Sequence, residues 1–491
     1  MNLSGRSKIV SNFTPNDLTE VDNLCELINN SMMKHKSNKS DVDYLIDYKN
    51  GKQTILKKVK EVRPEINNMV VINHAEMITR NIVGYFLGNP IQYIQSGDST
   101  KKKLIDELNR AVQYEGKPSV DKQIGYYQSI TGTAYRIIYR DGEFADEIPF
   151  EDRALDPSTT YVVYVNDISE RPLMGVTYYD MYDEENVYIG KRIYAYTDFG
   201  KFTFVSDEHD TVNSQDLIES EEYKVGGVPI IEYPNNMWRI GDWELSIALM
   251  DAINALHSGR LDDIDQVVQS LLVFINADID GETYDEMREQ GIVMLKNTTG
   301  SKSEVTSITN TLDQSGMNMF AQELENLLYA IIGIPSRNNR SGGGGDTGQA
   351  VELRDGWADL EIIARNKELE FKKSEQRALK IILHMFNIGK TEELSLLDID
   401  IKFSRNKTNN LLVKTQSYQS LLSTKTLSPM DCLTIVDLVS DVNEYISRGE
   451  EFWQDDFANK LSNKKLEIED SPEIKVNTQL ENLPFDDFDE E

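Results

Sequence analysis

The sequence predicts a mixed α+β protein in which long helices flank an antiparallel β region. Three observations lead there. Residues 133–232 are rich in Tyr, Val, Ile and Thr and alternate at 161–165 and 176–179. Turn signals recur between them at Asp141-Gly142, Asp156-Pro157, 170–172 and Phe199-Gly200, the punctuation of short antiparallel strands. Residues 242–265 and 349–388 instead carry apolar side chains at three- and four-residue steps, the helical period. At 491 residues the chain exceeds one ordinary core, so several subdomains are expected.

The elements follow in order. Residues 1–40 are polar, with a helical pattern over 17–33 and then a basic run, 34–40, that reads as a solvated linker. Asn50-Gly51 suits a turn within 44–56. Residues 70–87 read as a helix stopped by Gly88-Asn89-Pro90, with a strand starting at 91–94, and 100–130 read as helical. A short apolar run at 228–233 meets Pro234-Asn235-Asn236, after which Gly241-Asp242 opens a long helix with Asp242 as its N-cap. Leu245, Leu249, Ile253, Leu256 and Ile264 form its expected packed face, and Asp251, Ser258, Asp262 and Asp265 an acidic side that, by pattern alone, faces water. Short strands are expected at 293–295 and 305–308 around a turn at 297–300. A second helix spans 317–332, with Phe320, Leu324, Leu327, Leu328 and Ile331 packed, and ends at Gly333-Ile334-Pro335. The helix over 349–388 would be on the order of 60 Å long at about 1.5 Å per residue. Lys367 and Ser374 interrupt its heptad-like stripe. Residues 394–403 return as a strand, 408–461 carry further helices, and 466–491 hold ten acidic residues against one lysine, a disordered tail by composition.

Two near-motifs fail on chemistry. Asn276-Ala277-Asp278-Ile279-Asp280-Gly281 looks like a calcium loop, but its first position is Asn276 and its twelfth is Met287, so the bidentate carboxylate is missing. Gly343 and Gly348 have phosphate-loop spacing, but Gln349 and Ala350 stand where Lys and Ser/Thr are needed, after a helix rather than a strand. The four glycines 342–345 instead give a loop with few steric restrictions.

The net charge of −32 argues against gripping nucleic acid, which needs clustered Lys and Arg. By itself it reads as plain solubility. Two distant cysteines, Cys25 and Cys432, give no disulfide framework or zinc cluster and fit a reducing compartment. No signal-peptide core and no run of about 18 apolar residues is present, so no membrane partner is expected. The five histidines are scattered, without HExxH, and there is no G-x-S-x-G elbow. No catalytic residue, metal site or cofactor is expected.

The wording of particular segments adds a resemblance. PIIEYPNNMWRIGDWE (229–244), followed by DAIN and DDID, resembles the phage portal proteins of the SPP1-like family. RPEINNMVVINHAEMITRNIVGYFLGNPIQY (63–93) is similar to that family's N-terminal signature, GTAYRIIY (132–139) to its wing strand, and 333–355 to its tunnel loop and following helix. These four matches stand in family order over roughly residues 44–410.

The resemblance implies a mixed α+β portal fold. It would hold a polar N-terminal segment (1–43), a β-rich wing (44–240), a first stem helix (241–273), a small α/β clip (274–314) and a second stem helix (315–332). The tunnel loop (333–348), a long wing helix with its return strand (349–404), a helical crown (405–465) and the acidic tail (466–491) would follow. It implies a ring homo-oligomer, expected to be a dodecamer, at one capsid vertex of the virion, assembled in the host bacterial cytoplasm. The ring would nucleate head assembly with scaffold and major capsid protein, and pass double-stranded DNA non-specifically in packaging and ejection. It would dock the large terminase, which hydrolyses the ATP, and later the head-tail adaptor. The channel residues would be Arg337, Asn338, Asn339, Arg340, Gly342, Gly343, Gly344 and Gly345 of the tunnel loop, with Asp251, Asp262 and Asp265 on the stem. The alternatives are a generic oligomeric scaffold, or a metal-dependent hydrolase using the Asp clusters.

Overall fold

The structure is a computed structural model. It describes residues 5–96, 101–140, 148–207, 209–268, 271–275, 304–308, 314–335, 357–405, 411–424 and 426–436, with scattered positions to 453. It divides into two compact units, Met1–Thr408 and Asn409–Glu491. In the second, α8 (Leu411–Ser423) packs on α9 (Pro429–Val436).

The β region forms two sheets. The larger orders six strands as β1 (Ile9–Ser11), β5 (Thr160–Val165), β6 (Pro172–Tyr182), β7 (Tyr188–Tyr196), β8 (Gly200–Val205) and β9 (Leu217–Glu222). Strands β5 to β9 are an antiparallel meander, and β1 joins the edge in parallel with Ile9 beside Val163. One face is covered by the first half of α1 (Val21–Lys49), whose Leu24, Leu27 and Ile28 pack with Val163, Val176, Ile193 and Phe204.

Helix α1 corrects the linker expected at 34–40. That run contains no Gly or Pro to break a helix, and its basic side chains find partners. Lys34 Nζ donates to Val10 O at 3.0 Å, and Lys36 lies 3.2 Å from Asp210. His35 is buried, stacked on Tyr161 at 4.7 Å, and burial pulls its pKa down to about 4. The division drawn at 43/44 falls inside this one helix.

The smaller sheet runs β10 (Ile230–Pro234), β3 (Thr133–Tyr139), β4 (Glu151–Leu155), with Tyr233 opposite Ala134 and Tyr135 opposite Leu155. Against it pack α2 (His74–Phe86) and α4 (Lys117–Thr131), with α3 (Lys102–Tyr114) alongside. The single helix expected over 100–130 is two, because Gly116 turns left-handed at φ +73°. Gly132 ends α4 at φ +77°, and a Cβ there would lie 2.2 Å from Arg239 O. A third ladder joins β2 (Gln92–Gln95) to β13 (Ile399–Lys402).

The long helix is α7 (Trp357–Phe386), 30 residues or about 45 Å; the expected first turns, 349–356, lie outside the described residues. The two polar residues that seemed to interrupt its stripe are buried and bonded. Ser374 Oγ donates to Glu232 O at 2.8 Å, and Lys367 Nζ to Asp242 at 2.8 Å. Helix α7 also supplies Glu375 to a buried ionic cluster. Arg136 of β3 donates to Asp152 of β4 (2.7 Å), to Glu375 (2.8 Å) and to Asp121 of α4 (3.3 Å). Lys117 lies 2.6 Å from Asp121 and 2.9 Å from Glu375. The hydroxyls of Tyr93 and Tyr233 donate to Glu375, each at 2.7 Å. Three carboxylates thus face two cations. Burial pushes Asp121 up to about 6 in spite of its two cations, whereas the same cations hold Glu375 down to about 2 against its burial.

Candidate functional site

The segment that carries the strongest sequence signal forms a hairpin of helices. A 3-10 turn (Glu244–Ser246) leads into α5 (Ile247–Val268), which runs out to β11 (Leu271–Ile275). Strand β11 pairs antiparallel with β12 (Glu304–Ile308), Leu271 beside Ile308, and α6 (Gln314–Ile332) returns along α5. The expected strand at 293–295 and the calcium-like loop at 276–287 lie outside the described residues.

The base of the hairpin is fastened by buried polar groups. Trp243 is fully buried, its Nε1 donating to Thr79 Oγ1 at 2.9 Å and its ring stacked on Tyr48 at 5.7 Å. Asp242 does not cap the helix as expected. It accepts from Lys367 Nζ and, at 2.8 Å, from Asn235 Nδ2. Glu244 takes the cap-like role, accepting from Gly241 N at 2.9 Å, and its other oxygen pairs with buried Arg6. Arg6 was not singled out from sequence, since nothing local marks one arginine in a polar arm.

Along α5 the expected faces are kept only in part: Ile253 is buried, Leu249 and Leu256 are half-buried and Asp265 is exposed, as expected, but other positions differ. Ser258 and Asp262 are buried, while Leu245, Leu261 and Ile264 are exposed. The reason is a chain segment, 66–72, laid on the helix without regular secondary structure. Its alternate amides need acceptors. Asn68 N donates to Asp262 Oδ1 at 2.7 Å, Val70 N to Ser258 Oγ at 2.9 Å, and Ile72 N to Asn254 Oδ1 at 2.8 Å. Two residues of extended chain advance about 6.6 Å, and four residues of helix about 6 Å. The polar spacing Asn254, Ser258, Asp262 therefore matches every second amide of the strap. Each rung contributes roughly 0.5–1.5 kcal/mol, and an unmet buried amide costs more. The signal was in the sequence as an i, i+4, i+8 polar stripe, but its partner lies some 190 residues earlier.

Asp262 is the node. Besides Asn68 it accepts from Lys58 Nζ at 2.7 Å and Lys60 Nζ at 3.2 Å. Burial works to raise its pKa, but these bonds outweigh it and hold the carboxyl far below the usual range. Asp262 is thus corrected from a free water-facing carboxylate to a strap anchor. Asp251, half-buried, accepts from Tyr48 OH at 2.9 Å, and Asp265, exposed, accepts from Asn68 Nδ2 at 2.7 Å.

Helix α6 keeps part of its expected face, with Leu328 buried and Leu324 half-buried against the core. Ala321, Leu328 and Ile332 are buried, whereas Phe320, Leu327 and Ile331 are exposed. Gly333 turns left-handed and Ile334 N donates to Tyr329 O at 3.0 Å, closing the helix. The expected tunnel-loop residues Arg337, Asn338, Asn339, Arg340 and Gly342 to Gly345, and the acidic tail, lie outside the described residues. Among the described residues no group of three or more His, Cys, Asp or Glu is placed to hold a metal ion, and no helix is long and apolar enough to cross a membrane. His257 of α5 sits close enough to buried His74 to lower its pKa further, after burial itself.

Comparison with known proteins gives the family. A curated relative, the portal protein of Clostridium phage phiCD119, is 22% identical over 375 residues, covering 70% of this chain and 78% of its own. Two solved structures share 75% of this chain and 89% of theirs. One is the neck of an empty GTA particle computed with C6 symmetry (TM-score 0.40, 11% identical), the other the neck of a native GTA particle computed with C12 symmetry (TM-score 0.37, 13% identical). The family model described as phage portal protein, SPP1 Gp6-like, matches residues 30–452, and the chain belongs to that family.

Proposed function

We propose that this chain is the portal of a phage or phage-like particle, a ring of copies at one capsid vertex through which double-stranded DNA enters and leaves. The observation that carries the reading is the family match over residues 30–452. Two features of the chain support it. The helical hairpin keeps exposed apolar faces on both helices, which suits association of copies. The net charge of −32 suits a wall past which a polyanion slides without sticking.

In this reading the protein has a structural rather than an enzymatic role. Twelve copies close the ring, scaffold and major capsid protein assemble around it, the large terminase docks during packaging, and the head-tail adaptor docks afterwards. The 274–314 excursion is the docking clip. Arg337 and Arg340 of the 333–348 loop make brief phosphate contacts with moving DNA, and Asp251 and Asp265 contribute to the acidic wall.

Electron microscopy of the purified protein, with top views classified by symmetry, tests the ring. Closed rings with a hole wide enough for duplex DNA are expected. A monodisperse monomer across salt conditions, and in co-expression with scaffold, would overturn the reading. Replacing both Arg337 and Arg340 by Gln should leave rings intact and lower the DNA content of particles; unchanged DNA content would remove those two residues from the channel role.

A further inference from the structure

We propose that the cavity beside the 235–240 turn is a docking site for an acidic segment of a partner protein, one that carries an apolar side chain next to its carboxylates. The cavity, about 370 Å³, lies between that turn, β5 and α7. Four cations line it, Lys8, Arg239, Lys373 and Arg377, against Glu170, Glu232 and Glu370. It therefore holds a net positive charge in a chain whose net charge is −32.

Two of the three carboxylates are already answered. Glu232 is buried and accepts from Arg239 Nε at 2.6 Å, Arg239 Nη2 at 3.1 Å and Tyr164 OH at 2.6 Å. Glu170 accepts from Lys8 Nζ at 2.5 Å, and Lys8 Nζ lies 4.4 Å from the centre of the Tyr164 ring. The cations converge on Glu170, whose carboxyl is held below its usual range by the Lys8 hydrogen bond first and by Arg239 and Lys373 from further off. Lys373 and Arg377, one turn apart on α7, make no hydrogen bond or ion pair among the described residues. Glu370 is the one lining carboxylate left over, so the cavity has a cation to spare for a carboxylate from outside.

The rim suits a chain better than an ion. Met237 and Trp238 are 71% and 61% exposed at the turn, and Trp, Met and Arg are the side chains enriched where proteins meet. The turn that carries them is held fast. Asn236 Oδ1 accepts from Trp238 N and Ile240 N, each at 3.1 Å, and Asn236 Nδ2 donates to Ile240 O at 2.8 Å. Arg239 keeps a left-handed backbone, φ +56°, and its carbonyl accepts from Arg6 N at 3.2 Å. A non-glycine residue holds that conformation only where its surroundings fix it. The platform is thus set before a partner arrives, and docking orders little of it. An inorganic anion has nothing to place on Met237 and Trp238. Duplex DNA would bring its phosphates against the three carboxylates. An acidic chain with an apolar side chain answers both parts of the site.

The test is fluorescence anisotropy on the full-length chain, with a short labelled peptide alternating Glu and Leu as probe. Binding is expected, and it should weaken as salt is raised. Lys373→Ala with Arg377→Ala should weaken it about tenfold or more, and Met237→Ser with Trp238→Ser should weaken it too. All four side chains are exposed or half-buried, so these variants keep the fold. Lys102→Ala with Lys103→Ala, exposed on α3, should change nothing. Unchanged binding in the Lys373 and Arg377 variant, equal loss in the α3 variant, equal binding of a peptide alternating Gln and Leu, or no binding by the wild-type chain would each overturn the proposal. Displacement of the peptide by duplex DNA or inorganic phosphate at matched charge would assign the cavity to that ligand and overturn it. Binding to single copies that vanishes in rings would assign this face to contact between copies and overturn it as well. The cavity is built within one copy, so none of these results decides whether rings form, which microscopy reads separately.

Discussion

Truncating Asp262 to alanine removes the node of the strap at one stroke. The side chain accepts four hydrogen bonds, from Lys58 Nζ, Lys60 Nζ, Asn68 N and Asn68 Nδ2. The two lysine side chains are about a quarter exposed and can turn to water, so they contribute little. The backbone amide of Asn68 is half-buried against α5, and an amide left unmet there costs up to about 1–3 kcal/mol. Adding the lost Asn68 side-chain bond, the local cost is about 2–4 kcal/mol. A chain of 491 residues in two compact units is not expected to melt in two states, so the quantity to read is local opening. Hydrogen exchange at Asn68, Val70 and Ile72 should speed up roughly 30-fold or more, since about 1.4 kcal/mol is a factor of ten, while amides in the six-stranded sheet stay unchanged. The effect should fade with acidity. The carboxyl titrates below its ordinary 3.8 in the folded chain, so its contribution is complete above pH 4 and is lost as pH falls below that. Exchange at Asn68 in Asp262→Ala equal to wild type at pH 7 would refute the idea that this carboxylate holds the strap.

Three further outcomes follow from the buried groups. Asp121→Asn should stabilise the first unit above pH 6 and not below pH 4, because the native carboxyl is raised to about 6 and wild-type stability falls as pH rises through that window; melting curves from pH 4 to 7 for both proteins check it. His35→Phe should flatten an acid-side loss, since burial lowers the folded His35 from 6.5 to about 4, so wild type loses roughly 3 kcal/mol as pH falls across that interval; denaturant midpoints at pH 7 and pH 4.5 read most of the difference. Gly132→Ala meets both a left-handed backbone and the Arg239 carbonyl, so a cost of about 2 kcal/mol or more is expected, seen as a fall in soluble yield and melting temperature.

What the sequence disclosed was local. The Gly88-Asn89-Pro90 stop, the apolar 228–233 strand and the stripe of α7 all depend on neighbours within a few residues, and local pattern finds such features. The faces of α5 and α6 were judged rightly at Ile253 and Leu328 but wrongly at Leu245, Ile264, Phe320, Leu327 and Ile331, because apolar count was taken as burial. The strap 66–72 carries amides that need acceptors, so the polar side of α5 turned inward. Asp242, Arg6, Lys367 and Glu375 were illegible for the same reason: each is paired across more than a hundred residues, and a charge reads as solvent-facing until its partner is known. The tunnel-loop and clip residues were named from resemblance; the tunnel loop from 336 on and most of the clip lie outside the described residues, which include only the clip's β11–β12 ribbon.

The Arg136–Glu375 contact also sets a clock. The two residues are 239 positions apart, so at about 5–20 residues per second of synthesis the arginine waits on the order of 10–50 s for its carboxylate to emerge. Arg6 waits almost as long for Glu244, 238 positions later. The six-stranded sheet, complete at Glu222, is fully synthesised well before the wait of Arg136 for Glu375 ends. The hairpin of α5 and α6 leaves the ribosome before α7 does, so its helices can fold while the face that α7 covers is still open. The order of emergence therefore makes the hairpin an early product and the sealed core a late one. A ribosome stalled just short of residue 375 should hold a nascent chain whose larger sheet resists protease while Tyr93 and Tyr233 still lack their acceptor.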